Sequence, residues 1–487
     1  MLTQLEQFRN ELYPWFPHRA DALMDLLDAL SSNTTARSVV ELSLSPCFRR
    51  QYGSLHDSIE QLFSVPQGQT CLPERLREQE NEALLRLLVS FLPVPQQRPF
   101  RLLGIDVTSA SRPYAKTLTD RTFVYQPTPV PGVKPITIGH QYSVLAVLPD
   151  KAYPDEPPWL LPLQVERVSS QESKRAVGLA QLTRLLDEPG LPFRRDFCVQ
   201  VVDSDYSALD FQEPVAGRSN LVTITRLPSN RTVYRSPTPP AEDAPPSRGH
   251  PLWYGASMRL KEPETWAPPD EVATTTLRTR KGRLYTVRLE GWHNLLRRGT
   301  RAHPMHTRPF TLVRARVVDD TGQAVFHRPL WVTVIGARRR QLSLVDIWEA
   351  YRQRYDLEHF FRFGKQRMLM DAYQTPETTH EEHWWTLVQL AYWQLWLGRD
   401  LAEALPRPWE RYHPRFKDAA EHQSTETNRE KMPASPSPSD VQRDIARIIR
   451  QIGTPARNPK PRGKSPGRSS GTSPGKRTRH PVIKKGT

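Results

Sequence analysis

Four side chains with complementary chemistry lie along one short stretch of the sequence, residues 351–365 (YRQRYDLEHFFRFGK). They are a phenol, a guanidinium, a carboxylate and an ammonium, carried by Tyr351, Arg354, Glu358 and Lys365. At about 100° per residue of an α-helix, the offsets of 3, 7 and 14 residues from Tyr351 place all four on one narrow stripe. A carboxylate ringed by cations and a tyrosine suits a phosphodiester site that holds a metal ion. The alternative is an ordinary charged helix face with i,i+4 ion pairs.

Two aspartates at the ends of apolar runs are candidates to act with this glutamate. Asp106 lies in the strand predicted at 101–110, and Asp203 follows the apolar part of 196–207. Acids at the carboxyl ends of strands in an α/β sheet are a usual place for ligand chemistry, although an Asp there can also simply cap a turn. Two divalent cations need several oxygen ligands. Asp106, Asp203 and Glu358 together would supply them.

The elements that must position these acids follow from hydrophobic patterning. Period-two and continuous apolar runs predict strands, and spacings of three and four predict helices. The predicted core strands and helix are 101–110, 142–149, 160–168, 172–188 (helix) and 196–207. Further strands are predicted at 221–227, 283–292, 311–320 and 330–336, and helices from Ser343 through Lys365 and at 383–404. Ser343 is the predicted N-cap of the helix that carries Glu358.

Composition indicates the class of partner. The 487 residues carry a formal net charge of +16, which favours a polyanion, with nucleic acid first. Residues 451–487 hold ten Lys or Arg and no acid, so about +6 (16 minus 10) remains without them. Three widely spaced cysteines without a CxxC motif argue against structural zinc and fit a reducing cytoplasm. No secretion signal is evident and no apolar run approaches about 18 residues, so no transmembrane helix is expected.

The sequence resembles a known family, the DDE transposases with an RNase H-like core, in the branch typified by insertion sequence 4. The resemblance rests on Y-x2-R-x3-E-x6-K, matched by Tyr351, Arg354, Glu358 and Lys365, and on D-x-x-Y, matched at Asp203. The β-rich insertion before the glutamate is a further family trait. The resemblance covers about residues 99–405.

The resemblance implies metal-dependent cleavage of DNA at transposon ends, followed by strand transfer into target DNA. Asp106, Asp203 and Glu358 would be catalytic and would bind two Mg²⁺, with Mn²⁺ as a substitute. Double-stranded DNA would be the partner, bound by a homodimer or higher synaptic complex. Some relatives flip a base onto a tryptophan, a role for which Trp292 is a candidate, although a structural role is the favoured alternative for this residue.

One feature departs from the family pattern, and two other acids compete with the candidate ones. The first acid of this group is often followed by a second Asp and a Thr, whereas Val107 and Thr108 follow Asp106 here. Asp205 lies close to Asp203, but Asp203 fits D-x-x-Y and ends the apolar run directly. Glu349 lacks the basic neighbours that surround the family glutamate.

The predicted fold class is α/β, an RNase H-like mixed sheet flanked by helices, with a β-rich insertion, a helical N-terminal region and a disordered basic C-terminal tail. The predicted parts are 1–98 (helical, with possible DNA binding), 99–213 (first half of the core), 214–340 (insertion including the final core strand), 341–424 (second half, with the Glu358 helix) and 425–487 (the tail).

Two alternatives to an active transposase stay open from the sequence. One is another RNase H-fold nuclease, which would share the acids but need no large β insertion. The other is a domesticated or inactive transposase derivative that binds DNA without cutting it. For an active enzyme the expected location is the bacterial cytoplasm, associated with the nucleoid, with no membrane partner.

Overall fold

The computed structural model describes residues 3–63, 74–126, 134–152, 156–237, 252–279, 283–403, 435–460, 471 and 476–484. Its α-helices are α1 (Gln4–Trp15), α2 (Ala20–Ser31), α3 (Tyr52–Glu60), α4 (Glu74–Ser90), α5 (Lys174–Asp187), α6 (Leu209–Ala216), α7 (Leu344–Gln353), α8 (Tyr355–Arg367), α9 (Thr378–Gly398) and α10 (Pro438–Ile452). Its strands are β1 (Arg101–Ser111), β2 (Thr122–Tyr125), β3 (Ile136–Leu148), β4 (Leu161–Val168), β5 (Cys198–Val202), β6 (Leu221–Arg226), β7 (Thr232–Tyr234), β8 (Ser257–Arg259), β9 (Glu271–Arg278), β10 (Leu284–Leu295), β11 (Phe310–Val318) and β12 (Leu330–Ile335).

One large mixed sheet organises the molecule, in the order β2-β3-β1-β5-β6-β12-β11-β10-β9, with β4 also paired to β3. Strand β3 runs antiparallel to β1 and β4, whereas β1, β5 and β6 are parallel. The apolar runs of β1 and β5 are buried, as expected for central parallel strands covered on both faces. This α/β arrangement, with helices on both faces, confirms the predicted RNase H-like fold class.

The two faces of the sheet are covered by different helices. On one face, Gly178 of α5 lies against Ile105 of β1, with 3.3 Å between its Cβ position and Ile105 Cγ2. On the other face, the Cβ position of Gly104 is 2.9 Å from Leu357 of α8. Because side chains alternate along a strand, Asp106 lies on the same face as Gly104, which is the face that α8 covers.

The insertion extends the core sheet instead of forming a separate one. Strand β12 pairs antiparallel with the core strand β6, and β11, β10 and β9 follow outward. Helix α7 packs on one side of these strands, where the Cβ position of Gly291 is 2.8 Å from Leu344. The sequence predicted β10, β11 and β12, but it did not predict β9.

The N-terminal helices pack on the long helix α9. The Phe8 ring stacks on Trp393 with 6.3 Å between centroids, and Arg9 is ion-paired with Asp28 and contacts Gln394. This packing is that of a helical cap on the core, and DNA binding by residues 1–98 stays a prediction. No helix among the described residues is long and apolar enough to cross a membrane.

The helix predicted as unbroken from Ser343 through Lys365 is two helices that meet at Arg354. The amide of Arg354 bonds to Tyr351 O at 3.2 Å, three residues back, so the turn is tighter than an α-helical one. The backbone of Arg354 keeps helical dihedral angles (φ −50°, ψ −30°). The i,i+4 relation between Arg354 and Glu358 is therefore preserved across the break.

Two described stretches of the tail that was predicted to be mostly disordered, residues 453–460 and 476–484, contact the rest of the chain. The backbone amides of His480 and Ile483 bond to Lys116 O and Arg121 O at 2.9 and 2.8 Å, and Ile483 forms a bridge with Thr122 at the start of β2. An edge strand offers free backbone groups, and this extended segment satisfies some of them. Of the predicted tail, residues 425–434, 461–470, 472–475 and 485–487 lie outside the described part of the chain.

Candidate active site

The glutamate of the candidate site is positioned by the start of α7 and by the packing of α8. Helix α7 begins at the predicted N-cap Ser343. The structure shows a capping box there, in which the Ser343 hydroxyl accepts from the Asp346 amide at 3.1 Å and Asp346 accepts from the Ser343 amide at 2.9 Å. Leu357 and Phe360 anchor α8 in the core with at most 1 % exposure. Glu358, beside Leu357, is 38 % exposed at its side chain and projects from the packed side.

Asp106 and Asp203 occupy equivalent positions on neighbouring parallel strands. Gly104 of β1 pairs with Val201 of β5, and each acid follows two residues later, so both lie at one level and on one face of the sheet. The Asp203 carboxylate also accepts from the Asp205 amide at 3.0 Å and caps a short 3₁₀ turn. Asp203 therefore caps a turn and also lies at the candidate site, so the two interpretations of this residue are compatible.

The guanidinium of Arg354 connects the strand acid to the helix acid. Its Nη2 donates to Glu358 Oε1 at 2.8 Å, and its Nη1 donates to Asp106 Oδ2 at 3.4 Å. Asp106 also accepts from the Val107 amide at 2.8 Å. The structure thus brings Asp106, Arg354 and Glu358 into direct contact, from opposite ends of the predicted core.

The charges of the other two acids act on Asp106. Burial, together with the neighbouring charge of Asp203, raises the pKa of Asp106 to about 6, while Arg354 works in the opposite direction. The carboxylate of Glu358 also contributes to the raised pKa of Asp106. Negative charge at this point of the sheet is therefore only partly compensated by Arg354.

Carboxylates are suitable ligands for a hard divalent cation. In this structure, however, the three carboxylates are too far apart to bind one ion together. Carboxylate oxygens are the ligands that Mg²⁺ prefers, and excess negative charge favours a cation. However, no group of three or more His, Cys, Asp or Glu side chains in the described part of the chain is close enough together to hold a metal ion. Glu358 is bound to Arg354 instead, and its partly exposed side chain would have to turn away from Arg354 to share a cation with Asp106.

Lys365 and Tyr351, the other two residues of the predicted stripe, also lie beside the candidate site. Lys365 Nζ donates to Ser109 O of β1 at 2.6 Å, three residues beyond Asp106, and burial lowers the pKa of Lys365. Tyr351 is 8 % exposed, and Arg354 lies over its ring at 5.8 Å from the centroid. Burial raises the pKa of the Tyr351 phenol.

The two competing acids point elsewhere. Asp205 is ion-paired with Lys174 and is exposed, whereas Asp203 beside it acts on Asp106. Glu349 pairs with Arg352 at 3.0 Å on the exposed side of α7. Neither of these two contacts Arg354.

Trp292 is not brought to the site. It is 1 % exposed, its indole donates to Ala267 O at 2.8 Å, and it packs with Trp266 and Trp331. These contacts are those of the structural role that the sequence favoured, and they leave the ring no exposed face for a base.

One neighbouring feature was missed by the sequence analysis. A cavity of about 680 Å³ opens beside Tyr351 and Arg354, lined also by Arg98, Lys151 and Asp356. Lys151 is ion-paired with Asp356 at 2.8 Å, and burial raises the pKa of Asp356 to about 6. The only available signal was the position of Asp356 within the stretch 351–365, since Lys151 is remote in sequence.

Asp203 directly follows β5, whereas Asp106 lies within β1 and not at its end as expected. The fold and these two acids on neighbouring strands agree with what the sequence is similar to. The sequence model of the DDE superfamily endonucleases matches residues 11–294, more than half of the chain. The chain belongs to this family. Membership in the DDE superfamily endonucleases makes the protein a nuclease-type enzyme of a transposase-like family. The match includes Asp106 and Asp203 and ends before Glu358. No curated protein matches the sequence.

Proposed function

We propose that this DDE superfamily endonuclease is a DNA transposase of the insertion sequence 4 type, with Asp106, Asp203 and Glu358 as its catalytic acids. The observation that carries the proposal is the contact of one guanidinium, Arg354, with both Asp106 and Glu358. One guanidinium that links two acids from distant parts of the chain, next to a third acid at the same sheet level, supports a single site built for charge. The helix signature at Tyr351 to Lys365 supports the transposase branch over other nucleases of the family.

The reaction would be two successive displacements at phosphorus. In the first, water attacks a phosphodiester at the transposon end, the P–O3′ bond breaks, and a free 3′-hydroxyl and a 5′-phosphate result. In the second, this 3′-hydroxyl attacks a target phosphodiester, forms a new P–O bond and releases a target 3′-hydroxyl. Asp106, Asp203 and Glu358 would hold two Mg²⁺, which Mn²⁺ would replace. When bound, these ions would activate the attacking oxygen and neutralise the leaving one.

The cationic residues of the site would act on the DNA backbone. Arg354 and Lys365 are placed to bind phosphate oxygens, Arg354 by a bidentate fork and Lys365 as a point charge. Because Arg354 now binds Glu358 and Asp106, it would exchange these carboxylates for phosphate when DNA arrives. The Tyr351 hydroxyl would add a hydrogen bond beside Arg354.

The partners follow from this chemistry. The enzyme would bind double-stranded DNA at transposon ends and at the target, and pairing two ends favours a homodimer or a larger synaptic complex. We place the protein in the bacterial cytoplasm with its DNA substrate. The net charge of +16 supports a polyanionic partner.

The test is a strand-cleavage and strand-transfer assay on DNA that carries the inverted repeats flanking the reading frame. Glu358→Gln should abolish cleavage, and its matched control Glu349→Gln, on the exposed side of α7, should not. Asp203→Asn should behave like Glu358→Gln, and Asp205→Asn like the wild type.

Two outcomes would overturn the proposal in favour of its alternatives. DNA binding by the wild-type protein without any cleavage would identify an inactive derivative. Cleavage without transfer of the 3′-hydroxyl would identify another nuclease of the RNase H fold.

A further inference from the structure

The side of the insertion sheet that faces away from α7 carries a cluster of arginines. Along β10, Val287, Leu289 and Gly291 point toward α7 and are buried, so the alternate residues lie on the opposite side. We call this side the arginine face, with members Arg278 of β9, Arg288 of β10, Arg314 and Arg316 of β11, and the threonines Thr274, Thr276 and Thr286. All three threonines are exposed.

The arginine face holds more positive charge than its own acids compensate. Arg288 is paired directly opposite Arg316 across the β10–β11 ladder, a like-charge pair that costs stability. One acid, Glu290, serves three arginines, at 3.4 Å from Arg288, 3.3 Å from Arg314 and 3.4 Å from Arg316. Arg288, Arg314 and Arg316 therefore share a single carboxylate.

Two tryptophan rings pack against the Arg314 guanidinium of the arginine face. The Arg314 guanidinium lies over the rings of Trp266 and Trp331, at 4.6 and 5.8 Å from their centroids. Burial lowers the pKa of Arg314, and the charges of Arg316 and Arg288 act in the same direction. In the described part of the chain, the Nε atoms of Arg314 and Arg316 have no hydrogen-bond partner. The cluster is therefore rigidly supported and short of anions.

Two arginines of the arginine face are accessible to a ligand from solvent. The side chain of Arg288 is 53 % exposed and that of Arg316 is 36 % exposed. Neighbouring strands lie about 5 Å apart and same-face residues about 7 Å apart along a strand. Guanidiniums and threonine hydroxyls on such a flat grid offer donors to several anionic oxygens at once.

We propose that the arginine face binds the phosphate backbone of double-stranded DNA, at a surface separate from the candidate active site. The proposal rests on the proposed function insofar as DNA is the substrate. Planar guanidiniums with hydroxyl neighbours recognise phosphates bidentately, and the face lies opposite α7, the helix that leads to Glu358. Binding here is independent of base sequence and anchors DNA away from the cleaved bond.

A charge reversal tests the face without threatening the fold. Arg288→Glu places an acid opposite Arg316, which replaces a repulsive cross-strand pair by an attractive one. Because the ion pair of Arg288 with Glu290 is lost at the same time, the thermal midpoint should stay close to the wild-type value. The slope of log affinity against log salt, measured on a random-sequence DNA duplex, should fall by at least about one.

Two variants serve as matched controls. Arg195→Glu makes the same reversal at an exposed arginine before the amino end of β5, far from the arginine face, and should leave the slope near wild type. Arg288→Lys keeps the charge and should retain most of the slope. Equal slopes for Arg288→Glu and Arg195→Glu would overturn the proposal, as would binding of an acidic peptide to this face with an unchanged DNA slope.

Cleavage assays separate this proposal from the proposed function. Arg288→Glu should need a higher concentration of end-bearing DNA to reach half-maximal cleavage, whereas Glu358→Gln should not cleave at any DNA concentration. If the wild-type protein never cleaves DNA but Arg288→Glu lowers the salt slope, the arginine face is supported and the transposase assignment is overturned. If the wild-type protein cleaves DNA but Arg288→Glu and Arg195→Glu bind DNA equally well, the transposase assignment is supported and the arginine face is overturned.

Discussion

The Arg354 guanidinium donates to Glu358 Oε1 at 2.8 Å while it also reaches Asp106 at 3.4 Å. The acids of the candidate site are therefore held near one another by an internal cation. Such an arrangement limits the repulsion between neighbouring carboxylates, which otherwise destabilises the folded state. A metal ion would therefore compete with Arg354 for the same carboxylates. DNA phosphates would in turn compete with these carboxylates for Arg354.

This competition predicts the effect of Arg354 on metal binding. Without DNA, Arg354→Gln should bind Mn²⁺ more tightly than the wild type, by about tenfold, because a cation next to the carboxylates is removed. The measurement is a titration of the purified protein followed by electron paramagnetic resonance. Arg352→Gln, which loses the exposed pair with Glu349 and the contact with the Trp348 ring but no contact with the candidate acids, is the control. Unchanged or weaker Mn²⁺ binding in Arg354→Gln would show that Arg354 does not restrain the acids.

A second prediction concerns pH and Asp106. Its folded pKa of about 6 lies above the ordinary value of 3.8, so between these values the folded state retains a proton that the unfolded state has lost. The contribution of Asp106 to stability therefore falls as pH rises from about 4 to about 6. Asp106→Asn should stabilise the metal-free protein at neutral pH, by about 1–3 kcal/mol, and the gain should vanish below about pH 4.

Chemical denaturation at several pH values measures this gain. Asp205→Asn, at an exposed site, should show no comparable pH dependence. A neutral or destabilising Asp106→Asn at pH 7 would mean that Asp106 is already fully compensated by its neighbours.

The third prediction separates metal ligands from phosphate ligands. Glu358→Ala removes a carboxylate next to the expected phosphate, so DNA affinity should hold or rise while cleavage falls more than ~100-fold. Lys365→Ala should weaken both, and its salt slope should drop by about one. Gel shift and cleavage on the same end-bearing DNA give both readouts. Wild-type cleavage by Glu358→Ala would exclude it as the third acid.

The central strands and the acids on them were predictable, because continuous apolar runs dictate buried strands and side-chain alternation fixes the face. The edge strand β9 was not, since its sequence EVATTTLR is half polar and lies on the outside of the sheet, where pairing with β10 alone decides its structure. The break at Arg354 was missed because helical periodicity continues through it. Burial of Trp292 depends on Trp266 and Trp331, which are remote from it in sequence.

The contacts of residues 476–484 with the core could not be predicted from the sequence, for a physical reason. Composition predicts disorder when a segment cannot bury apolar surface of its own. Residues 476–484 bury little, but they bond through their backbone to the loop before β2 and to its first residue, and backbone bonds leave no compositional trace. The Arg477 side chain adds an ion pair to Glu377 at 3.0 Å.

This placement gives the fourth prediction, in which the segment has two separable roles. Truncation after residue 475 should lower the salt slope of DNA binding, since five Lys or Arg are lost. It should also promote self-association, because the β2 edge, next to Phe123 and Tyr125 at 52 and 59 % exposure, loses its cover. Cleavage per bound complex should not change, because the segment contributes no carboxylate.

A charge-neutral tail distinguishes the two roles. Replacing Lys476, Arg477, Arg479 and Lys484 with Gln keeps the backbone that covers β2 and removes most of the charge. This variant should show the reduced salt slope of the truncated protein but stay as dispersed as the wild type in sedimentation velocity. If it self-associates as strongly as the truncated protein, electrostatic repulsion and not the covered strand edge keeps the molecules apart. If its salt slope equals that of the wild type, the segment makes no contribution to DNA binding, and the basic charge of the tail acts elsewhere.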